Sequence, residues 1–388
     1  MEGIQMEHAG ERVKQLREKA GMSLGQLAKE VGLTPDKLSK AEHGKRRLGL
    51  GELLEISDVL GTTVQRLLGR EAHGSLALAA RIADAGESPN DHEILIRANQ
   101  LLELDHLLGQ LGASSPRTST EQGDLVRQYA RAIPTPNSKT QANKDGKDLA
   151  VKAREMLSLG SAPIGNLAEL AERHFGIDVE CTPFSGNLSG ACIHQGDRAI
   201  IFATTAKTSG HLRFTLAHEL GHHLFGDPRE VVIESDLTSG VPSERRVNAF
   251  AAHFLMPASE IGMLVRGRAM SEEVLAQLMQ HFQVSLASLV SHLADCGVVP
   301  FASQSLWLAK SARALISEYG DPGALDPCTE DSPARPPARL VSSARAAQRQ
   351  GFIGPTIIAA LLRQPVQEPS TRQHADVTKL IENAFANL

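Results

Sequence analysis

Along most of the chain apolar residues recur every three or four positions, the spacing of amphipathic helices, and strand-like runs gather in one stretch. Residues 8–70 read as several short helices, and 74–112 as one or two more that form a spacer or dimerisation region. Two polar, Pro/Ser/Asn-rich runs, 113–124 and 134–148, flank the short helical stretch DLVRQYARAI and predict a linker over 113–147. From 148 two helical stretches lead into strands at IDVECTPF, GACIHQ and RAIIFAT. A helix over RFTLAHELGHHLFGD follows, then a second from about Ser243, and 271–299 reads helix, turn, helix. Residues 301–388 form a C-terminal helical region with a Pro-rich break at 329–339 and a loose tail after Pro365. The fold class is therefore mainly α with a small sheet, α+β, divided into units at 8–70, 74–112, 113–147, 148–300 and 301–388. No internal repeat is visible.

Composition narrows this picture. A chain of 388 residues exceeds one comfortable core, so two or three domains are expected. A net charge of −5 gives no global nucleic-acid signal, and any basic patch must be local. Four cysteines without CxxC spacing suit reduced thiols in a cytoplasmic protein. The N-terminus has no apolar signal region, and no uncharged run reaches the roughly 18 residues of a membrane span. We expect no membrane partner.

The helix 213–227 carries His218-Glu219-Leu220-Gly221-His222. Residues four apart lie on one helix face, so both imidazoles can reach one metal ion. Zinc in such sites keeps an open position for water, and Glu219 on the flank can act as catalytic general base for peptide hydrolysis. A third ligand is needed, and Glu244, 22 residues beyond His222, fits, with Ser243 as N-cap of its helix. Asn248 shares the face of Glu244 and can support a ligand. His253, nine residues past Glu244, falls on the opposite side of that helix and reads as a packing or surface residue. His223 can line the cleft; His211 and Arg213 receive no role.

RFTLAHELGHHLFGD followed by ERRVNAFAAHFLMP resembles the ImmA/IrrE metallo-endopeptidases over roughly 148–300. The resemblance implies a zincin-like domain with Zn2+ on His218, His222 and Glu244, Glu219 as base, and RAIIFAT as the edge strand beside the active-site helix. It also implies a substrate class, helix-turn-helix repressors cut during stress. Val247 departs conservatively from the Ala common in the family. EEVLAQLMQHFQVSLASLVSHLADCG resembles the helical cap behind such cores, and ARAAQRQGFIGPTIIAALL a small C-terminal helical unit.

Residues 11–61 have helix-turn-helix spacing. Ser23 with Gln26 forms a capping box, Gly32 makes the turn, and Thr34 caps a helix with Pro35 at its first position. Leu27, Ala28, Leu38 and Ala41 face inward, leaving Asp36, Lys37, Ser39 and Lys40 outward. The pattern resembles a five-helix Cro/CI (XRE) repressor domain over 8–70, where 12 Lys and Arg against 8 Asp and Glu leave a charge of +4. The resemblance implies DNA contacts from Thr34, Asp36, Lys37, Ser39, Lys40, Lys45 and Arg46, with Glu42 pairing to Arg17 instead. Leu24 and Pro35 stand where such repressors often have glutamines, so base readers cannot be transferred. A homodimer on two half-sites is plausible.

The expected function is a DNA-binding transcriptional regulator with zinc-dependent endopeptidase activity toward a repressor or similar protein. Two alternatives stay open: a repressor whose metal site is structural or regulatory, and an interaction module that recruits a repressor.

Overall fold

The computed structural model describes residues 9–60, 62, 67, 89–184, 189–195, 198–226, 231–234, 241–330 and 332–363. Among them helices predominate, around one four-stranded sheet.

Four helices, α1 (Ala9–Lys19), α2 (Leu24–Glu30), α3 (Pro35–Glu42) and α4 (Leu50–Val59), enclose a small core of their own. Its local rules are those read from the sequence. Ser23 and Gln26 cap each other's backbone N–H, Thr34 caps α3, Pro35 opens it, and Gly32 takes φ +63°. Leu27, Ala28, Leu38 and Ala41 are buried. Arg17 donates to both carboxylate oxygens of the buried Glu42, at 2.7 and 2.8 Å. Of the fifth helix expected here only the buried Leu67 is among the described residues.

α5 (Pro89–Gln110) is not the free-standing spacer that was one expectation for this region. It lies within the same chain's core, its Ile94, Leu101 and Leu108 buried against the sheet and the C-terminal helices. Residues 74–88 lie outside the described residues.

The expected linker is also corrected. α6 (Glu121–Ala132) and α7 (Lys139–Met156) occupy most of it, α7 opening at the N-cap Ser138. Much of the polar composition of 139–148 lies on the exposed face of α7. The other face carries Ala142 and Gly146, small enough for a neighbouring helix to lie almost on the α7 backbone.

α8 (Leu167–Phe175), ended by Gly176 at φ +63°, leads into β1 (Asp178–Thr182), β2 (Gly190–Gln195) and β3 (Arg198–Thr204). α9 (Ser209–Phe225) follows, then β4 (Val231–Glu234) and α10 (Pro242–Leu255). The sheet order is β1-β3-β2-β4, with β1 parallel to β3 and the other pairs antiparallel. RAIIFAT is thus not an edge strand. As β3 it is buried along nearly its whole length and pairs on both sides, as its unbroken apolar run requires. The edges among the described strands are β1 and β4.

α11 (Ala258–Leu264), α12 (Glu272–Phe282), α13 (Leu286–Asp295), α14 (Gln304–Leu308) and α15 (Ala312–Tyr319) complete the front layer. α16 (Ala338–Arg349) and α17 (Pro355–Leu362) join α5 behind the sheet. Residues after 363, including the expected loose tail, lie outside the described residues.

Strand alternation divides the interior. Cys192, Ala199, Ile201 and Ala203 face a front core that runs from Val126 to Cys328 and includes α9 and α10. Ala191, Ile193, Ile200 and Phe202 face the back core of α5, α16 and α17. The front core therefore crosses the expected boundaries at both 148 and 300. The back layer is pinned by charge: Arg339 donates to Asp105 at 2.5 Å and to Asp178 at 2.6 Å, Arg117 also pairs with Asp105, and Arg97 with Glu180 at 2.8 Å.

Candidate metal centre

α9 is held at both ends, by the N-cap Thr208, whose side chain accepts from His211 N, and by Gly226 at φ +66°. Between them one stripe carries His211, Thr215, His218 and His222, spaced by four, three and four residues. α10 crosses beside it. Its N-cap is Val241 with Pro242 at the first position, so Ser243 is not the cap expected of it; proline starts the helix two residues earlier. Gly221 faces Val247 and Phe250 so closely that an added Cβ would stand 3.1 Å from each. The larger Val247 thus sits opposite a glycine.

This crossing brings His218, His222 and Glu244 together. His218 Nε2 lies 3.1 Å from His222 Nε2, and Glu244 Oε2 lies 3.2 Å from His222 Nε2 and 3.5 Å from His218 Nε2. Donors each about 2.0–2.1 Å from a tetrahedral zinc stand about 3.3 Å apart, so the triangle has the size such an ion requires. All three side chains are buried, and imidazoles with a carboxylate at such depth call for a compensating cation. The donor set fits a divalent metal.

Asn248, one turn after Glu244, accepts at Oδ1 from His218 Nδ1 at 2.9 Å. That contact places the imidazole proton on Nδ1 and leaves Nε2 for the metal. Glu219 is fully buried beside the start of β2. A Cβ on Gly190 would stand 2.5 Å from Thr215 Cγ2 and 2.9 Å from Glu219 Oε1, so the strand passes this close only because position 190 has no side chain.

The polar surroundings of this stripe were not read from the sequence. Ser189 Oγ accepts from Lys207 Nζ at 2.8 Å and lies 3.2 Å from His211 Nε2; burial, with Lys207, pushes His211 down to about 4. The 211-215-218-222 stripe was the available signal. Arg213 has a structural place, donating to the carbonyls of Ile164 and Gly165. His253 does not join the triangle; it packs edge-on against His292, as its helix offset requires. His223 is buried against His194 on β2.

In the N-terminal unit Thr34, Asp36, Lys37 and Lys40 are exposed on α3, and Ser39 is half-buried. Asp36 and Lys40 pair with each other at 2.7 Å. Lys45 is exposed, while Arg46 is tied to Glu52.

Residues 172–293 match the family model of the IrrE N-terminal-like domain, in the peptidase M78 group, and residues 8–68 match that of a helix-turn-helix domain. The chain joins a helix-turn-helix domain to an IrrE-like domain. The matched IrrE-like segment contains the whole of α9 and α10, and hence every residue of the triangle. The apo form of the competence regulator ComR from Streptococcus vestibularis aligns over 90% of this chain and 99% of that chain, at 13% identity and a TM-score of 0.16. So low an overall similarity carries neither fold nor function from one to the other. No curated protein matches the chain. No described helix is long and apolar enough to cross a membrane.

Proposed function

We propose that the chain is a cytoplasmic, DNA-binding transcriptional regulator whose IrrE-like domain is a zinc-dependent endopeptidase. The observation that carries this reading is the donor triangle of 3.1, 3.2 and 3.5 Å with Glu219 buried on the flank of the same helix. His218, His222 and Glu244 would hold the ion, which when bound supplies Lewis acidity toward water and a peptide carbonyl. Asn248 orients His218. Glu219 takes the proton of the attacking water and delivers it to the leaving amine, and Gly190 keeps room for its carboxylate.

The substrate class is a regulatory protein, a helix-turn-helix repressor by family resemblance. The N-terminal domain binds an operator through the exposed face of α3, with Thr34, Asp36, Lys37, Ser39, Lys40, Lys45 and Arg46 toward DNA and two copies meeting two half-sites. Domain limits follow the cores: 8–70 for the DNA-binding unit, about 121–328 for the peptidase front layer, and α5 with α16 and α17 as its back layer.

The test pairs wild type with Glu219→Gln. Each is assayed for bound zinc and incubated with soluble protein of the host. Zinc bound by both, with a band shortened only by the wild type, is expected. Zinc in both with no cleavage by either would favour a metal-stabilised repressor, and absence of zinc in both would remove the site.

A further inference from the structure

A second cluster of metal-ligating side chains lies on the neighbouring face of α9. β2 alternates, and its even positions Cys192 and His194 both point from the sheet toward the front layer. There His223 meets them, one residue after His222 and so about 100° further round the helix. His194 Nε2 stands 3.1 Å from His223 Nδ1 and 3.8 Å from Cys192 Sγ, and all three donor atoms lie within 4.8 Å of one another. A tetrahedral zinc with nitrogen at about 2.0–2.1 Å and sulfur at about 2.3 Å separates N from N by about 3.3 Å and N from S by about 3.6 Å. We propose that Cys192, His194 and His223 form a second metal site, for a borderline-soft divalent ion of the zinc or cobalt kind, separate from the His218/His222/Glu244 centre.

Several features support this assignment. A thiolate with two imidazoles selects such ions over magnesium or calcium, which take oxygen donors. The two imidazole planes lie 8° apart, the arrangement of one ring donating its N–H to the next. A divalent ion displaces the thiol proton to solvent, while the proton shared by the rings moves to the nitrogen of its own ring that faces away from the ion. Cys192 and His223 are buried, and half-buried His194 is the side from which the ion and a fourth ligand enter. The other thiol-imidazole cluster, His253/His292/Cys296, is less suited. There His292 Nε2 already donates to Met256 O at 2.8 Å, and this is the nitrogen nearer the thiol, at 3.6 Å from Cys296 Sγ.

The two centres differ in sulfur, which makes cobalt(II) the probe. Metal-free full-length protein, kept reduced, is titrated with Co2+ while the near-ultraviolet thiolate-to-cobalt charge-transfer absorption is followed. The first centre has no sulfur and gives none. The expected result is an absorption that saturates by two equivalents of Co2+ per chain in the wild type and by one in His218→Ala. It disappears in Cys192→Ser, weakens at least tenfold in apparent affinity in His194→Gln, and persists in both His218→Ala and Cys296→Ser. His194→Gln alters only a half-buried side chain and decides the matter if Cys192→Ser fails to fold, as judged by its far-ultraviolet dichroism. No charge-transfer absorption in the wild type would overturn the proposal. So would its persistence in folded Cys192→Ser, its loss in Cys296→Ser, or unchanged affinity in His194→Gln.

Discussion

Replacing Gly146 by Ala tests the link between helix packing and the metal centre most directly. On an isolated helix the change should stabilise by about 1 kcal/mol, because Ala is the better helix former. Here the new Cβ would stand 2.2 Å from Arg246 O, 2.7 Å from Phe250 N and 2.8 Å from Ala249 Cβ. Two of these are backbone atoms and cannot rotate away, so α7 and α10 must part by about 1 Å. Overpacking of this kind costs about 1–3 kcal/mol, and with backbone on the opposing side the upper end applies. Net of helix propensity the variant should lose about 2 kcal/mol, a fall in Tm of about 4–8 °C for a unit of roughly 200 residues. α10 also carries Glu244 and Asn248, so zinc retention against a chelator should fall with it. Gly109→Ala supplies the opposite case: the residue is exposed near the end of α5, a Cβ there meets nothing within 4 Å, and its Tm should not fall. The assay is thermal melting by circular dichroism of the full chain with zinc content measured in parallel. A Gly146→Ala protein as stable as wild type, or more so, would refute the close packing described for this crossing.

Two further outcomes are expected. Asn248→Ala removes the acceptor of His218 Nδ1 and should weaken metal affinity about 10- to 100-fold, whereas Asn248→Asp, which keeps an acceptor, should lose much less; competition with a chromogenic chelator measures both. Burial alone would raise the Asp105 carboxyl, but Arg339, Arg117 and Arg198 more than offset this and hold it below its ordinary value of about 3.9. Its stabilisation is therefore full above about pH 4 and is lost as pH falls through the depressed value. Asp105→Asn should be less stable than wild type at pH 7, by on the order of 3 kcal/mol, and the gap should shrink in urea titrations below pH 4; a gap unchanged at pH 3 would count against the network.

What the sequence made legible was local. The four-residue spacing of His218 and His222, the placement of Asn248 one turn after Glu244, and the caps at Ser23 and Thr34 each depend on a single helix and its period. What it hid was pairing at a distance. β3 reads as a strand from its apolar run, yet its central place follows from β1 and β2 choosing it from both sides. Residues 139–147 look like linker because a helix with one exposed face and a glycine contact has few large apolar residues to announce it. Cys192 and His194 do share a strand face by alternation, but that His223 arrives opposite them depends on how α9 lies across the sheet.

The two-faced sheet also sets an order of assembly during synthesis. A chain emerging from its N-terminus can complete α1–α4 early and the front layer once Cys328 is out. The back of the same strands, with Ile193, Ile200 and Phe202, keeps only α5 for cover until Leu340, Ile357 and Leu361 have followed. A ribosome paused between those points would hold, and a message with an early stop there would release, a chain with its front donors assembled and a sticky apolar face behind them, a natural target for chaperones.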